Sequence, residues 1–474
     1  MNFDGVKRIH LLGICGTGMG SFAGLLKSRD YLVTGSDENV YPPMSDKLAE
    51  WKIPVMSGYA AHNLDAATPD LVIVGNVIRL GNVEATAMRE RGLRFASFPE
   101  ALGALLDAEN KHAVVVAGTH GKTTTTSLVA HLLMSAGREP SLLVGGVPAN
   151  FGDGFRDGKG EHFVIEGDEY DTAYFDKGPK FLHYRPRTVL FTGAEFDHAD
   201  IYRDLAHYES SFEKLFALLP ADGYLAACAS YANTAALARS ARCEVETYAA
   251  GGPADWQTEG LVLDADGIAF VPEFRGAIAG QSVRVPMAGR HNAENALGAV
   301  AVAKHLGLTD AEIGEGLRTF LGVKRRQEVR GEARGVLVID DFAHHPTAVR
   351  ETIAALLSRY PGRRLWAVFE PRSNTAMRKV HQAEYPRAFA GAAAAVIVAP
   401  TALAKVPEDQ RGDAAKMAAD IAAAGTPSHF VQSPDEAVAL VAREARAGDL
   451  VVGMSNGGFG GFHGKLLTAL GGGQ

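Results

Sequence analysis

Short, almost unbroken apolar runs alternate with segments of helical length along the whole chain. The runs at 8–13, 31–35, 71–74, 112–117, 163–165, 188–191, 336–339, 365–369, 395–398 and 450–453 read as strands. Few alternate apolar with polar residues, which is the pattern of strands buried on both faces of a parallel sheet. Between them, 19–28, 99–107, 122–135 and 292–305 have the length and composition of helices, so the fold class is α/β. A chain of 474 residues exceeds one compact core, and three units are expected. Their boundaries fall at the charged linker 107–111 and at the basic turn Lys324-Arg325-Arg326, giving units 1–108, 109–325 and 326–474. No internal repeat is evident, and the tail 471–474 reads as disordered.

Composition narrows the function classes. Asp and Glu number 55 against 47 Lys and Arg, a formal charge of -8, and no basic patch of useful size interrupts it, which argues against nucleic acid. Cys15, Cys228 and Cys243 form neither a zinc spacing nor a disulfide framework. No run is long and apolar enough for a membrane span, and the first residues enter a strand directly with no cleavable signal pattern. A cytoplasmic protein is expected, working on small molecules without nucleic acid or membrane, as a monomer or weak homo-oligomer.

The strongest chemical signal is Gly118-Thr119-His120-Gly121-Lys122-Thr123-Thr124-Thr125. A strand feeding a glycine turn that opens a helix aims backbone N–H groups and the helix dipole at an anion. Lys122, taken as an exposed loop lysine, adds a point charge, and Thr123 puts a hydroxyl where a phosphate-bound magnesium would sit. Val116 stands where a full phosphate loop has glycine. Glu166, Asp168, Glu169 and Asp171 follow one strand, and Glu195, Asp197, His198 and Asp200 follow the next. Carboxylates crowded at strand ends suit magnesium, and neutral His198 could join them as a ligand; solvated acidic loops are the bland alternative.

Gly289-Arg290-His291-Asn292 to Asn295 opens a helix, where Asn292 either offers the donor and acceptor that an adenine edge needs or simply caps the helix. Asp340-Asp341 ends a strand before Phe342-Ala343-His344-His345-Pro346, with Pro346 at the first turn of a helix. Asp341 suits ribose hydroxyls, and His344 a substrate phosphate or carboxylate; a plain strand-to-helix turn is the other reading. The first glycine loop, Gly13-Ile14-Cys15-Gly16-Thr17-Gly18-Met19-Gly20, with Asp37 at the next strand end, is an imperfect dinucleotide fingerprint that supports binding of some nucleotide diphosphate.

These motifs, in this order and over the whole chain, resemble the Mur ligase family, which builds the peptide of bacterial cell-wall precursors. The segments that carry the likeness are Gly118 to Thr125, Glu166 to Glu169, Asp197 to Asp200, Gly289 to Asn295, Lys324 to Arg326 and Asp340 to Pro346. The resemblance implies an N-terminal Rossmann-like UDP-binding domain, a central P-loop ATPase-like domain and a C-terminal Rossmann-like domain. It implies ATP and Mg2+, with Lys122, Glu166, His198 and Arg326 catalytic, and with Thr123, Glu166 and His198 on the metal. ATP would also meet Gly118, Thr119, His120, Gly121, Thr124, His291, Asn292, Asn295 and Asp341.

The His-His-Pro segment and the first glycine loop are similar to the branch that uses UDP-N-acetylmuramate as carboxylate donor. Three stretches, Glu169 to Asp176 with Lys180 to Pro186, Phe369 to Thr375, and Ser455 to Gly461, look like its recycling member, whose acceptor is the tripeptide L-alanyl-γ-D-glutamyl-meso-diaminopimelate. Substrates would lie against Gly13, Gly16, Thr17, Gly18, Met19, Asp37, Asn76, His344, Arg372, Ser455 and Asn456. Arg372 can hold a carboxylate bidentately, and Ser455 and Asn456 can add neutral hydrogen bonds. Several family members carry a carbamylated lysine; Lys214 lies in that region and is assigned no role. Alanine addition within the same branch is the serious alternative. A nicotinamide-dependent dehydrogenase would explain Gly13 to Gly20 but leave Lys122 and Thr123 idle. A nucleotide-sensing binding protein would not require the acidic motif and His198 together.

Overall fold

The structure is a computed structural model that describes residues 1–42 and 44–472. Three main sheets carry the fold. The first has five parallel strands in the spatial order Val55–Ser57, Leu32–Asp37, Arg8–Leu12, Leu71–Val74, Phe95–Ser97. The order reverses beside Arg8–Leu12, and the crevice beyond the carboxyl ends of strands at such a reversal is where open α/β sheets bind ligands. Gly13 leaves one of the two strands there and Gly75-Asn76 the other. The helix Phe98–Ala108 starts where the sequence places it because Ser97 and Glu100 form a reciprocal capping box ahead of Pro99.

The central sheet runs parallel through Ser141–Leu143, His162–Gly167, His112–Ala117, Thr188–Phe191, Tyr224–Cys228 and Glu244–Ala249. Its reversal lies at His112–Ala117, the strand that feeds the phosphate loop. An antiparallel ribbon of Trp256–Asp264 and Gly267–Phe274 extends the far edge. The third sheet has the order Glu328–Ala333, Val336–Asp341, Leu450–Met454, Leu365–Phe369, Ala394–Val398, Ser428–Val431, antiparallel only at the first pair.

Burial on both faces explains the apolar runs. Leu337 and Ile339 enter one core cluster while Val336 and Val338 enter another, because successive strand residues point to opposite faces. Likewise Val114 and Val116 face the helices Lys122–Ser135 and Arg290–His305, whereas Ala113, Val115 and Ala117 join a core continuous with the first sheet. That shared core fixes the first unit against the second. Among the described residues no helix is long and apolar enough to cross a membrane. Gly471 ends the last helix, Phe462–Gly471, rather than a disordered tail; Gly473 and Gln474 lie outside the described residues.

Candidate active site

The loops leaving three neighbouring strands of the central sheet meet at one point. Gly121 caps the helix Lys122–Ser135 with φ 77° and no side chain to satisfy the first-turn amides, so these and the helix dipole can receive an anion. A β-carbon at Gly121 would lie 2.5 Å from Asn295 Oδ1, so both the turn and its packing on the helix Arg290–His305 require glycine here. Thr119 serves the loop's shape: its hydroxyl donates to Glu195 O at 2.8 Å and accepts from Glu195 N at 2.9 Å. Thr124 is buried.

Lys122 is not the exposed lysine expected. Its side chain is 12% exposed, and Nζ donates to Gly118 O at 2.6 Å and to both oxygens of the buried Glu169, at 2.9 and 3.2 Å. Burial disfavours its charge, but Glu169, Asp168 and Glu166 outweigh that and hold the ammonium above its ordinary value. Glu169 also accepts from Tyr208 Oη at 3.1 Å and meets His198 Nε2 at 3.1 Å. His198 adopts φ 53°, a left-handed conformation uncommon for a non-glycine residue.

Thr123 Oγ1 donates to Glu166 Oε1 at 2.7 Å, and Gly145 N donates to Glu166 Oε2 at 2.7 Å. Burial, and next the charge of Asp168, push the Glu166 carboxyl up. A divalent cation would offset this concentration of negative charge, so the donor set of Thr123 and Glu166 fits magnesium. His198 lies beside Glu169 instead, so of the expected metal ligands Thr123 is bonded to Glu166 and His198 to a different carboxylate.

The third unit reaches this point through its connecting turn. Arg326 Nη2 donates to Thr123 Oγ1 at 3.2 Å, and the guanidinium rests 4.7 Å from the Phe342 ring centre. Arg325, which sequence reasoning passed over, donates from Nη2 to Ser455 O and Gly457 O at 2.7 and 2.6 Å. His344 Nε2 lies 3.7 Å from Asp197 Oδ2, while Thr347 Oγ1 donates to Glu195 Oε1 at 3.0 Å and Asn374 Nδ2 to Asp200 Oδ2 at 2.7 Å. The third unit therefore closes on the loop 195–200 of the second.

Several expected contact residues have their polar groups engaged elsewhere. Asn292 does not cap its helix, which opens at Gly289; its Nδ2 donates to Ala288 O and its Oδ1 accepts from Asn295. Asp341 accepts from the amides of Gln327 and Ala343, each at 2.8 Å, and from Thr352, so it holds the turn. Asp37 is likewise held by the amides of Cys15 and Asn39, both at 2.9 Å. Met19, expected against substrate, is 7% exposed and belongs to the core, as an apolar side chain in the first turn of a buried helix does. Ser455 is buried, donating to Glu370 Oε2 at 2.6 Å and accepting from Gly457 N.

Other expected residues remain available. Gly16 and Thr17 are exposed, and Gly16 caps the helix Thr17–Ser28 without a side-chain acceptor, while Gly18 and Asn76 are half-buried nearby. His291 is half-buried, and the desolvation of its ring lowers its imidazole to about 4, leaving it neutral. Arg372 is exposed and, among the described residues, its guanidinium has no hydrogen bond or ion pair. It lies flat on Gly457, where a β-carbon would come 2.0 Å from Nη1. Asn456 Oδ1 is buried without a partner among the described residues. Lys214 is exposed on the helix Leu205–Ala217.

A phosphate loop, paired strand-end carboxylates and a third unit that delivers arginine to them define an ATP-dependent ligase of three α/β units. Three family profiles match in succession: Mur ligase family, catalytic domain, over 8–110; Mur ligase middle domain over 116–303; and Mur ligase, glutamate ligase domain, over 325–457. The chain belongs to the Mur ligase family. It is 39% identical over 471 residues, 98% of each chain, to UDP-N-acetylmuramate–L-alanyl-γ-D-glutamyl-meso-2,6-diaminoheptandioate ligase of Escherichia coli. It is 36% identical to the crystal structure of a murein peptide ligase from Psychrobacter arcticus, with a TM-score of 0.74 over 98% of this chain and 99% of that one. A UDP-N-acetylmuramate–L-alanine ligase of Salinispora arenicola is 36% identical over 94% of this chain and 85% of its own length.

Proposed function

We propose that this protein joins the lactyl carboxylate of UDP-N-acetylmuramate to the alanyl amine of L-alanyl-γ-D-glutamyl-meso-diaminopimelate, using ATP and Mg2+, in cell-wall peptide recycling. The observation that carries the choice of acceptor is Arg372, an exposed guanidinium without a partner among the described residues, held against Gly457 beyond the carboxyl ends of two central strands of the third sheet. A tripeptide with several carboxylates requires such a group, and a planar guanidinium meets a carboxylate with two parallel hydrogen bonds. The likeness to the Escherichia coli enzyme over 98% of both chains supports the same reading.

The carboxylate attacks the γ-phosphate, the bond to the ADP oxygen breaks, and the amine then displaces phosphate from the acyl-phosphate carbon. Catalysis here is chiefly positioning and charge neutralisation. Lys122 moves its ammonium between Glu169 and the phosphates, Arg326 adds a second cation beside Thr123, and the amides after Gly121 bind the phosphate oxygens. Thr123 and Glu166, with His198 once it is released from Glu169 as a neutral imidazole, would hold magnesium, which when bound lowers the repulsion between phosphate and carboxylate oxygens. UDP lies along Gly13, Gly16, Thr17 and Asn76, the adenosine near His291, Asn292 and Asn295, and His344 faces the donor. The units 1–108, 109–325 and 326–474 thus divide donor, ATP and acceptor among them, in a cytoplasmic monomer or weak oligomer.

Arg372→Ala tests this reading. Loss confined to the tripeptide's kcat/KM supports it, whereas an equal fall for all substrates, or none, contradicts it.

A further inference from the structure

We propose that His120, Glu195 and His345 form a second metal site, for a divalent ion of the zinc class, and that the ion latches the third unit to the second. His120 belongs to the phosphate loop, Glu195 to the loop after Thr188–Phe191, and His345 to the turn before the helix Pro346–Arg359. One ligand atom from each lies within 4.8 Å of the other two. His120 Nε2 is 2.8 Å and His345 Nδ1 3.7 Å from Glu195 Oε2. Donor atoms around a tetrahedral zinc stand about 3.3 Å apart, so small side-chain rotations bring these three onto one ion and leave a fourth position for water.

Two further features point to a ligand. His345 is 3% exposed, and Nδ1, the atom that faces Glu195, accepts only a long 3.3 Å contact from the Thr347 amide, while Nε2 has no partner among the described residues. An ion at Nδ1 would replace that long contact with a bond of about 2.0 Å. The Thr347 hydroxyl meanwhile fixes the other Glu195 oxygen at 3.0 Å, the kind of outer contact that orients a ligating carboxylate. His381 packs its ring 4.5 Å from that of His345 and commits Nε2 to Phe196 O, closing the far side.

Two imidazoles and one carboxylate select a transition ion, whereas the oxygen donors Thr123 and Glu166 suit magnesium, so the two sites differ in chemistry. Because the donors come from both units, an ion here restrains the opening that product release requires.

The full-length protein, stripped of metal and kept in excess Mg2+, is titrated with Co2+ and followed by visible absorption and by metal analysis after dialysis. The expected result is one equivalent of Co2+ with the intense bands of a low-coordinate site, displaced by Zn2+, with a thermal midpoint raised by either ion. His345→Asn, which keeps a capping side chain, and Glu195→Gln each weaken uptake at least about tenfold, while His198→Ala retains it. No stoichiometric uptake by the wild type overturns the proposal. So does uptake that survives His345→Asn but is lost in His198→Ala, which would place the ion with the magnesium ligands.

Discussion

Lys122 and Glu169, 47 residues apart in sequence, hold each other through two contacts of 2.9 and 3.2 Å, with the carboxylate 1% exposed. The phosphate-binding cation is therefore also half of a buried ion pair. Lys122→Ala is expected to lower turnover by on the order of a thousandfold, as loss of a charge aimed at the transition state does. It is also expected to cost about 3 kcal/mol of stability, because Glu169 keeps only His198 and Tyr208 in a desolvated place. Urea unfolding checks the second effect. Adding Glu169→Gln to Lys122→Ala recovers part of the stability and none of the activity; a single variant as stable as the wild type would sink the pairing argument.

His198 carries the pH dependence. Burial opposes its charge, but the hydrogen bond to Glu169 and the charges of Asp197 and Glu169 outweigh it and raise the imidazole from 6.5 to about 9. A group whose folded value is raised stabilises fully below its unfolded value and loses that contribution as pH climbs through the folded one. In metal-free buffer the thermal midpoint should fall between pH 6.5 and 9, and His198→Asn should remove that part of the decline. Parallel slopes for the two proteins would show that the pair contributes nothing.

Glu166 is tied to Thr123 and Gly145 at 2.7 Å each and, among the described residues, to no cation directly. Glu166→Gln keeps the shape and removes the charge. The magnesium concentration for half-maximal rate should rise at least about tenfold, with the KM for UDP-N-acetylmuramate changed far less. A magnesium titration that superimposes on the wild type would exclude Glu166 from the metal.

Arg372 lies on Gly457, and that contact defines two variants with one signature. Arg372→Ala should lose about 2 to 4 kcal/mol, on the order of a hundredfold in kcat/KM for the tripeptide, and Arg372→Lys should recover only part. Gly457→Ala puts a β-carbon 2.0 Å from Nη1 and should raise the tripeptide KM by displacing the guanidinium. Tripeptide kinetics unchanged in Gly457→Ala would mean that the observed packing does not position Arg372.

Much of this was legible in the chain because parallel strands are buried on both faces. Leu71–Val74, His112–Ala117, Thr188–Phe191 and Leu365–Phe369 appear in the sequence with their observed limits. The ribbon of Trp256–Asp264 and Gly267–Phe274 was missed because one strand mixes half-buried and exposed positions without a regular period and its neighbour is interrupted by proline. The phosphate loop was readable as a local pattern. Its partners were not: Glu169 meets Lys122, and Thr347 meets Glu195 across 152 residues, through contacts that only the assembled sheets create. At Asn292 and Asp341 the sequence leaves the role open, since a polar side chain at a strand end or helix start serves the backbone as readily as a ligand, and both hold backbone groups here. Arg325 escaped notice because nothing local separates it from Arg326; only the carbonyls of Ser455 and Gly457 do.

The most direct test is a single assay: the purified protein with ATP, Mg2+ and UDP-N-acetylmuramate, offered either the tripeptide or L-alanine, with phosphate release and product mass recorded. The account predicts phosphate release with the tripeptide, one phosphate per amide formed, a product mass equal to the two substrates less water, and a kcat/KM for alanine lower by on the order of a hundredfold or more. Preferred ligation of alanine, or ATP turnover without an amide product, would contradict it.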